Sequence, residues 1–252
     1  MTLPILIAFL LVAVSPCPAA TAILVYHRFG PTVTDSMTVT TRAFDRQLAI
    51  IRDRGYHVIS LRQLVDTLLS GGIPPPASLV ITADDGHESI YTEMVPRLER
   101  CNFPATLFIY PSVISNAEWA MTWPQLLELN RNAGFDIESH TYWHPNFKTE
   151  QRRLGDTAYA AFVASQLTKS RQILEQKLAK KVDLLAWPFG IYDDSLIAAA
   201  QHAGYRAAFT LERRSVTRHD RLLALPRYLM TDSMQGAAFE KFLARATAEV
   251  KP

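Results

Sequence analysis

Four short clusters of polar and aromatic residues stand out along the chain: Tyr26-His27-Arg28, Asp84-Asp85-Gly86, His140-Thr141-Tyr142-Trp143-His144 and Trp187-Pro188-Phe189-Gly190. Asp84 and Asp85 are adjacent carboxylates closing the run Leu79-Val80-Ile81-Thr82-Ala83. Two like charges side by side are costly unless a cation or a shared proton relieves them. His140 and His144 stand four apart, a spacing that lets both imidazoles reach one ion where the chain turns helically. Alone, each motif also fits a plainer reading, a solvated Asp-Asp-Gly turn or an unrelated pair of histidines. Together, Asp85, His140 and His144 make a two-imidazole, one-carboxylate set suited above all to Zn²⁺, and also to Co²⁺, Ni²⁺ or Fe²⁺. Three protein ligands leave coordination open for water, and Asp84 is then free to take a proton from it.

Each cluster follows a segment that reads as a β-strand. Short apolar runs predict strands over 23–26, 79–82, 105–110, 184–187 and 207–211, with a last one at 223–225, and 135–138 reads as a further strand. Apolar residues at helical spacing predict helices over 44–54, 61–69, 90–100, 123–132, 157–180, 194–202 and 237–250, several closed by glycine. About seven alternating strand–helix units imply parallel strands and an α/β fold, best described as a (β/α) barrel. An open doubly wound sheet shares the same alternation. In a barrel all strand C-termini open on one face, so the four clusters converge on one mouth.

Composition narrows the class. The chain has 252 residues, 48% hydrophobic and 20% charged, which excludes intrinsic disorder. Lys and Arg total 26 against 24 acidic residues, so there is no electrostatic footprint for nucleic acid or an anionic membrane. Two cysteines exclude a disulfide scaffold and a Cys-rich zinc module. Residues 3–14 are apolar but too few to span a bilayer, and Ser15-Pro16-Cys17-Pro18-Ala19-Ala20 ends in small residues. This predicts a secretory signal peptide over 1–20 and one domain over 21–252, secreted or periplasmic and monomeric. A basic segment ahead of the apolar run is missing, and an uncleaved anchor or a buried strand fits the same residues. Cleavage would remove Cys17 and leave Cys101 as a small core residue.

Thr82-Ala83-Asp84-Asp85-Gly86 together with Ser139-His140-Thr141-Tyr142-Trp143-His144 resembles the polysaccharide deacetylase family, the NodB-homology carbohydrate esterases, over roughly 23–229. The resemblance implies a distorted (β/α)7 barrel, Asp84 as general base, and Asp85, His140 and His144 as ligands of a divalent metal. It also implies that the Phe189 N–H contacts the oxyanion. Two departures stand out. Ala186 occupies the place of an arginine that steers the catalytic aspartate in the family, and Arg227 is the candidate replacement. The late Leu-x-His element that supplies a general acid is missing after Leu211, while Leu24-Val25-Tyr26-His27 occurs early. That arrangement resembles the subgroup acting on poly-β-1,6-N-acetylglucosamine and implies His27 as general acid. Trp143, Tyr142, Pro188 and Arg227 are expected to line the substrate site, with Phe147, Trp119 and Trp123 as further aromatic candidates. The expected partner is an N-acetylated polysaccharide; peptidoglycan and chitin oligomers share the reaction class. A carbohydrate-binding protein without turnover and a metal-dependent amidase or phosphoesterase are the other classes these residues admit.

Overall fold

The computed structural model describes residues 20–248. The expected leader falls, but for Ala20, outside the described residues, as does the end of the predicted closing helix.

Strand β1 (Ala22–Tyr26) is apolar and buried throughout. A short pair follows, β2 (Arg28–Gly30) with β3 (Thr38–Thr40), and then α1 (Thr41–Asp53), whose first turn is capped by Thr40. Next come β4 (His57–Val58), α2 (Leu61–Leu69) and β5 (Ser78–Asp84). The helix predicted over 90–100 divides into a π-helical turn, Ile90–Met94, and α3 (Val95–Cys101). Pro96 lies in the first turn of α3, where a missing N–H costs least. The chain continues through β6 (Ala105–Ile109), α4 (Trp123–Arg131), β7 (Phe135–Ser139), α5 (Phe147–Arg153), α6 (Asp156–Leu178), β8 (Leu184–Ala186), α7 (Asp194–His202) and β9 (Ala207–Phe209). Strand β10 (Tyr228–Leu229) and α8 (Gly236–Ala246) complete it. The last strand expected at 223–225 is instead a 3₁₀ turn, Leu222–Ala224. The ladder strand comes later, after Pro226, whose missing N–H fits a connection better than a strand interior.

The main sheet runs β10-β1-β5-β6-β7-β8-β9, with β4 added beside β5, and its pairings are parallel. It curls. Phe108 on β6 and Phe209 on β9 stand three strands apart in that order, roughly 14 Å in a flat sheet, yet their ring centroids are 5.4 Å apart. Leu225 bridges Phe209 at the far edge, carrying the ladder toward β10. The result is the distorted parallel barrel that the strand count anticipated.

Alternation along the strands sorts side chains into two layers. Ile23, Val80, Phe108, Leu184, Ala186 and Phe209 face inward and pack with Leu61, Leu64 and Val65 of α2 in one cluster. Leu24, Tyr26, Leu79, Ile81, Leu107, Ile109 and Ile137 face outward against α1, α3, α4 and α8. From α2, Arg62 reaches Asp136, Glu138 and Asp183 at 3.1, 2.6 and 3.0 Å, pairing three carboxylates of which the last two are buried. The inward rows of β1, β5 and β7 lead, two residues at a time, to His27, Asp84 and His140. One periodicity therefore delivers all three to the same end of the barrel.

Candidate active site

Asp84 is the last residue of β5, fully enclosed at 1% exposure. Arg227, at 0% exposure, donates Nη1 and Nη2 to its two carboxylate oxygens at 2.8 and 2.7 Å. Its Nε donates to the Thr210 carbonyl at 3.1 Å. Burial alone would raise the Asp84 pKa, but the charges of Arg227 and His140 outweigh it and bring it down to about 2. Arg227, entering from just before β10, thus grips Asp84 from beside a different strand than the one that carries Ala186. Arg227 has no surface left for a substrate, and its expected place in the substrate lining is corrected to the positioning of Asp84.

Asp85 follows with φ +73°, a left-handed conformation unusual for a residue with a side chain. The turn swings its carboxylate back toward the mouth. His140, one residue beyond β7, donates Nδ1–H to the Ala186 carbonyl at 2.8 Å, which leaves Nε2 as a lone-pair donor. That Nε2 lies 3.6 Å from Asp85 Oδ1, and His144 Nε2 lies 3.8 Å from the same oxygen. One ligand atom from each of the three lies within 4.8 Å of the others. Asp85 Oδ1 is buried without a hydrogen-bond partner, an expense that a cation at this point would remove. Burial and the neighbouring His140 push the His144 pKa down to about 4, so the neutral, ligating imidazole prevails at neutral pH. Thr141 and His144 also have positive φ, at +64° and +63°. The motif therefore turns tightly outside any helix, and backbone strain brings the two imidazoles together. The donor set, its spacing and the orphaned oxygen fit a divalent metal.

His27 continues β1 beyond Tyr26, which is paired with Ala83, so it lies beside Asp84 across the ladder. It is 9% exposed, and its Nδ1 has no hydrogen-bond partner. Burial lowers its pKa, opposed by the charges of Asp84 and Asp85.

Phe189 stands in the 3₁₀ turn Pro188–Gly190 with φ +56°. Its ring is 56% exposed and lies against His144, centroids 4.6 Å apart. Pro188, expected to meet substrate, is buried beneath that turn, and Phe189 is the residue that faces outward instead. Trp143 is 41% exposed but leans its ring on Phe162 of α6, while Tyr142 is half-buried under the Lys169 ammonium. Phe147, fully enclosed, is core rather than a platform. Trp119 is 40% exposed at the other flank of the site, beside Tyr110 and His87. The sequence shows no sign of that grouping, because its members come from two separate loops, one after β5 and one after β6.

Two carboxylates and two histidines thus gather at the C-terminal mouth of a parallel barrel. The polysaccharide deacetylase family model matches residues 71–208, more than half of the chain, and the chain belongs to that family. It is 24% identical to the poly-β-1,6-N-acetyl-D-glucosamine N-deacetylase of Staphylococcus aureus (strain MRSA252) over 212 residues, 82% of this chain and 71% of the relative. In fold it is similar to the deacetylase PplD of Streptococcus pyogenes, solved in complex with acetate. The TM-score is 0.80 at 22% identity, covering 92% of this chain and 99% of that one. It is equally similar to IcaB from Ammonifex degensii, with a TM-score of 0.80, 21% identity and the same coverage.

Proposed function

We propose that the protein is a metal-dependent hydrolase that removes N-acetyl groups from N-acetylglucosamine units of a polysaccharide, poly-β-1,6-N-acetylglucosamine foremost, releasing acetate. The observation that carries this reading is the convergence of Asp85, His140 and His144 beside an Asp84 held at both oxygens by Arg227. The resemblance to the Staphylococcus aureus enzyme supports the choice of polymer. A leader at 1–20 would deliver the enzyme to the cell envelope or beyond it.

Asp85, His140 and His144 would hold the ion, with Zn²⁺ favoured by a His₂-carboxylate set. A divalent ion so held lowers the pKa of water toward neutrality and polarises an amide carbonyl. Asp84 then accepts a proton from the attacking water through a carboxylate oxygen. Arg227 keeps that carboxylate ionised and fixed in direction. The Phe189 N–H donates to the oxygen on which negative charge develops, a contribution of about 3–4 kcal/mol for a well-placed donor. His27 delivers a proton to the departing nitrogen, leaving a free amine and acetate.

Asp84→Asn tests the assignment. The variant should keep its bound metal, measured by elemental analysis, and lose acetate release by about 10²–10⁴-fold. Turnover at the wild-type rate would remove Asp84 from the mechanism.

A further inference from the structure

Beside the Asp85 carboxylate lies a cleft of about 300 Å³, lined by Arg28, Asp85, His87, Tyr110 and Trp119, for which the mechanism has no use. Its walls are built rather than incidental. The loop after β5 is laced to the loop carrying Trp119: Glu88 N–H donates to the Trp119 carbonyl at 2.8 Å, Met121 N–H to the Gly86 carbonyl at 2.9 Å, and His87 bridges Ala120. His87 stacks on the Trp119 indole, centroids 5.9 Å apart and planes 24° apart. Tyr110 links the cleft to the metal residues, 6.2 Å from Trp119 and 5.4 Å from His144 between ring centroids.

The hydrogen-bonding character of the cleft is fixed. Ser89 N–H donates to His87 Nδ1 at 3.1 Å, so that nitrogen carries no proton and the neutral ring presents Nε2–H. Arg28 gives Nη1 to Asp35 at 2.8 Å, and its Nε has no partner. Asp35 is itself held by the Met37 N–H and the Thr38 hydroxyl. The cleft therefore offers donors and a half-exposed indole. Its one cation is already paired, and the Asp85 carboxylate stands at its edge.

We propose that this cleft is the subsite for the uncharged N-acetylhexosamine unit adjoining the one that is deacetylated. The apolar face of that sugar would lie on Trp119, and its oxygens would accept from His87 Nε2 and Arg28. A neighbouring unit bearing a free carboxylate meets no unpaired cation in this cleft, since Arg28 is already held by Asp35. The proposal rests on the deacetylase reading and adds to it the feature of the polymer that the enzyme reads.

The test measures acetate released from β-1,6-linked N-acetylglucosamine oligomers of one to five units. In the wild type kcat/KM should rise when the second unit is added. In Trp119→Ala the ratio of kcat/KM for the pentamer to that for the monosaccharide should fall about tenfold, and Trp119→Phe should recover most of it. An undiminished ratio in Trp119→Ala overturns the subsite. Oligomers whose neighbouring unit bears a free carboxylate should show no gain with length, and a gain equal to that of the neutral oligomers overturns the charge argument. No acetate from any oligomer with wild-type protein refutes the deacetylase reading instead, and the subsite falls with it.

Discussion

A carboxylate sealed from solvent is costly to ionise, and Asp84 is ionised here because Arg227 faces both of its oxygens. The depressed pKa of Asp84, about 2, sets the sign of the linkage. The pair's contribution to stability is complete above the ordinary carboxylate range and is lost as pH falls through about 2. Arg227→Ala leaves a buried charge without a partner and should cost about 3–5 kcal/mol of unfolding free energy at pH 7, with the cost shrinking toward pH 3. Urea denaturation measures it, and a change under about 1 kcal/mol would mean that the pair is not what holds Asp84. His27 has its pKa lowered from 6.5 by burial. A general acid works only while protonated, so the rate should fall as pH rises through that lowered value. His27→Ala should abolish this basic limb; a limb that persists in the variant assigns the proton donor elsewhere.

Strand alternation accounts for which residues were legible at the scale of the elements. The apolar runs ending at Tyr26, Ala83 and Ala186, and the alternating Phe135-Asp136-Ile137-Glu138 of β7, announce both the strands and the end of the barrel at which their neighbours gather. Arg227 could be suspected as a substitute for the residue missing at 186. Its complete burial could not, because nothing local distinguishes an arginine turned inward from one in solvent. The strand expected at 223–225 failed for a local reason: the apolar run Leu222-Leu223-Ala224-Leu225 has the composition of a strand but coils into a 3₁₀ turn ahead of Pro226. The pair β2 and β3 was missed since three residues with mixed polarity show no periodicity. Cross-loop contacts that unite Arg28, His87 and Trp119 have no sequence signal at all. One element prediction concerns the Phe189 turn. Gly190 has φ +66°, and a Cβ there would sit 2.7 Å from the Leu211 backbone nitrogen. Gly190→Ala should destabilise the protein by about 1–3 kcal/mol in thermal unfolding, and should reduce acetate release more than metal content by displacing the Phe189 N–H. Unaltered activity would free that amide from its assigned part.

Across the whole molecule the barrel does two things at once. Its inward layer seals one end with α2, whose Arg62 joins Lys180, Lys181 and Arg206 in pairing Asp136, Glu138 and Asp183, and leaves the other open where β1, β5 and β7 end. Among the described residues no helix is long and apolar enough to cross a membrane. The exposed aromatics Trp119 and Phe189 stand on opposite flanks of Asp85, His140 and His144 at the mouth. The most direct measurement of the whole is a metal titration of the chelator-stripped protein while acetate from N-acetylglucosamine oligomers is quantified. Acetate release should be absent at the start, rise with added Zn²⁺ and level off at one equivalent, and His144→Ala should flatten the curve. Full release by stripped protein, or none at any metal loading, would contradict the account.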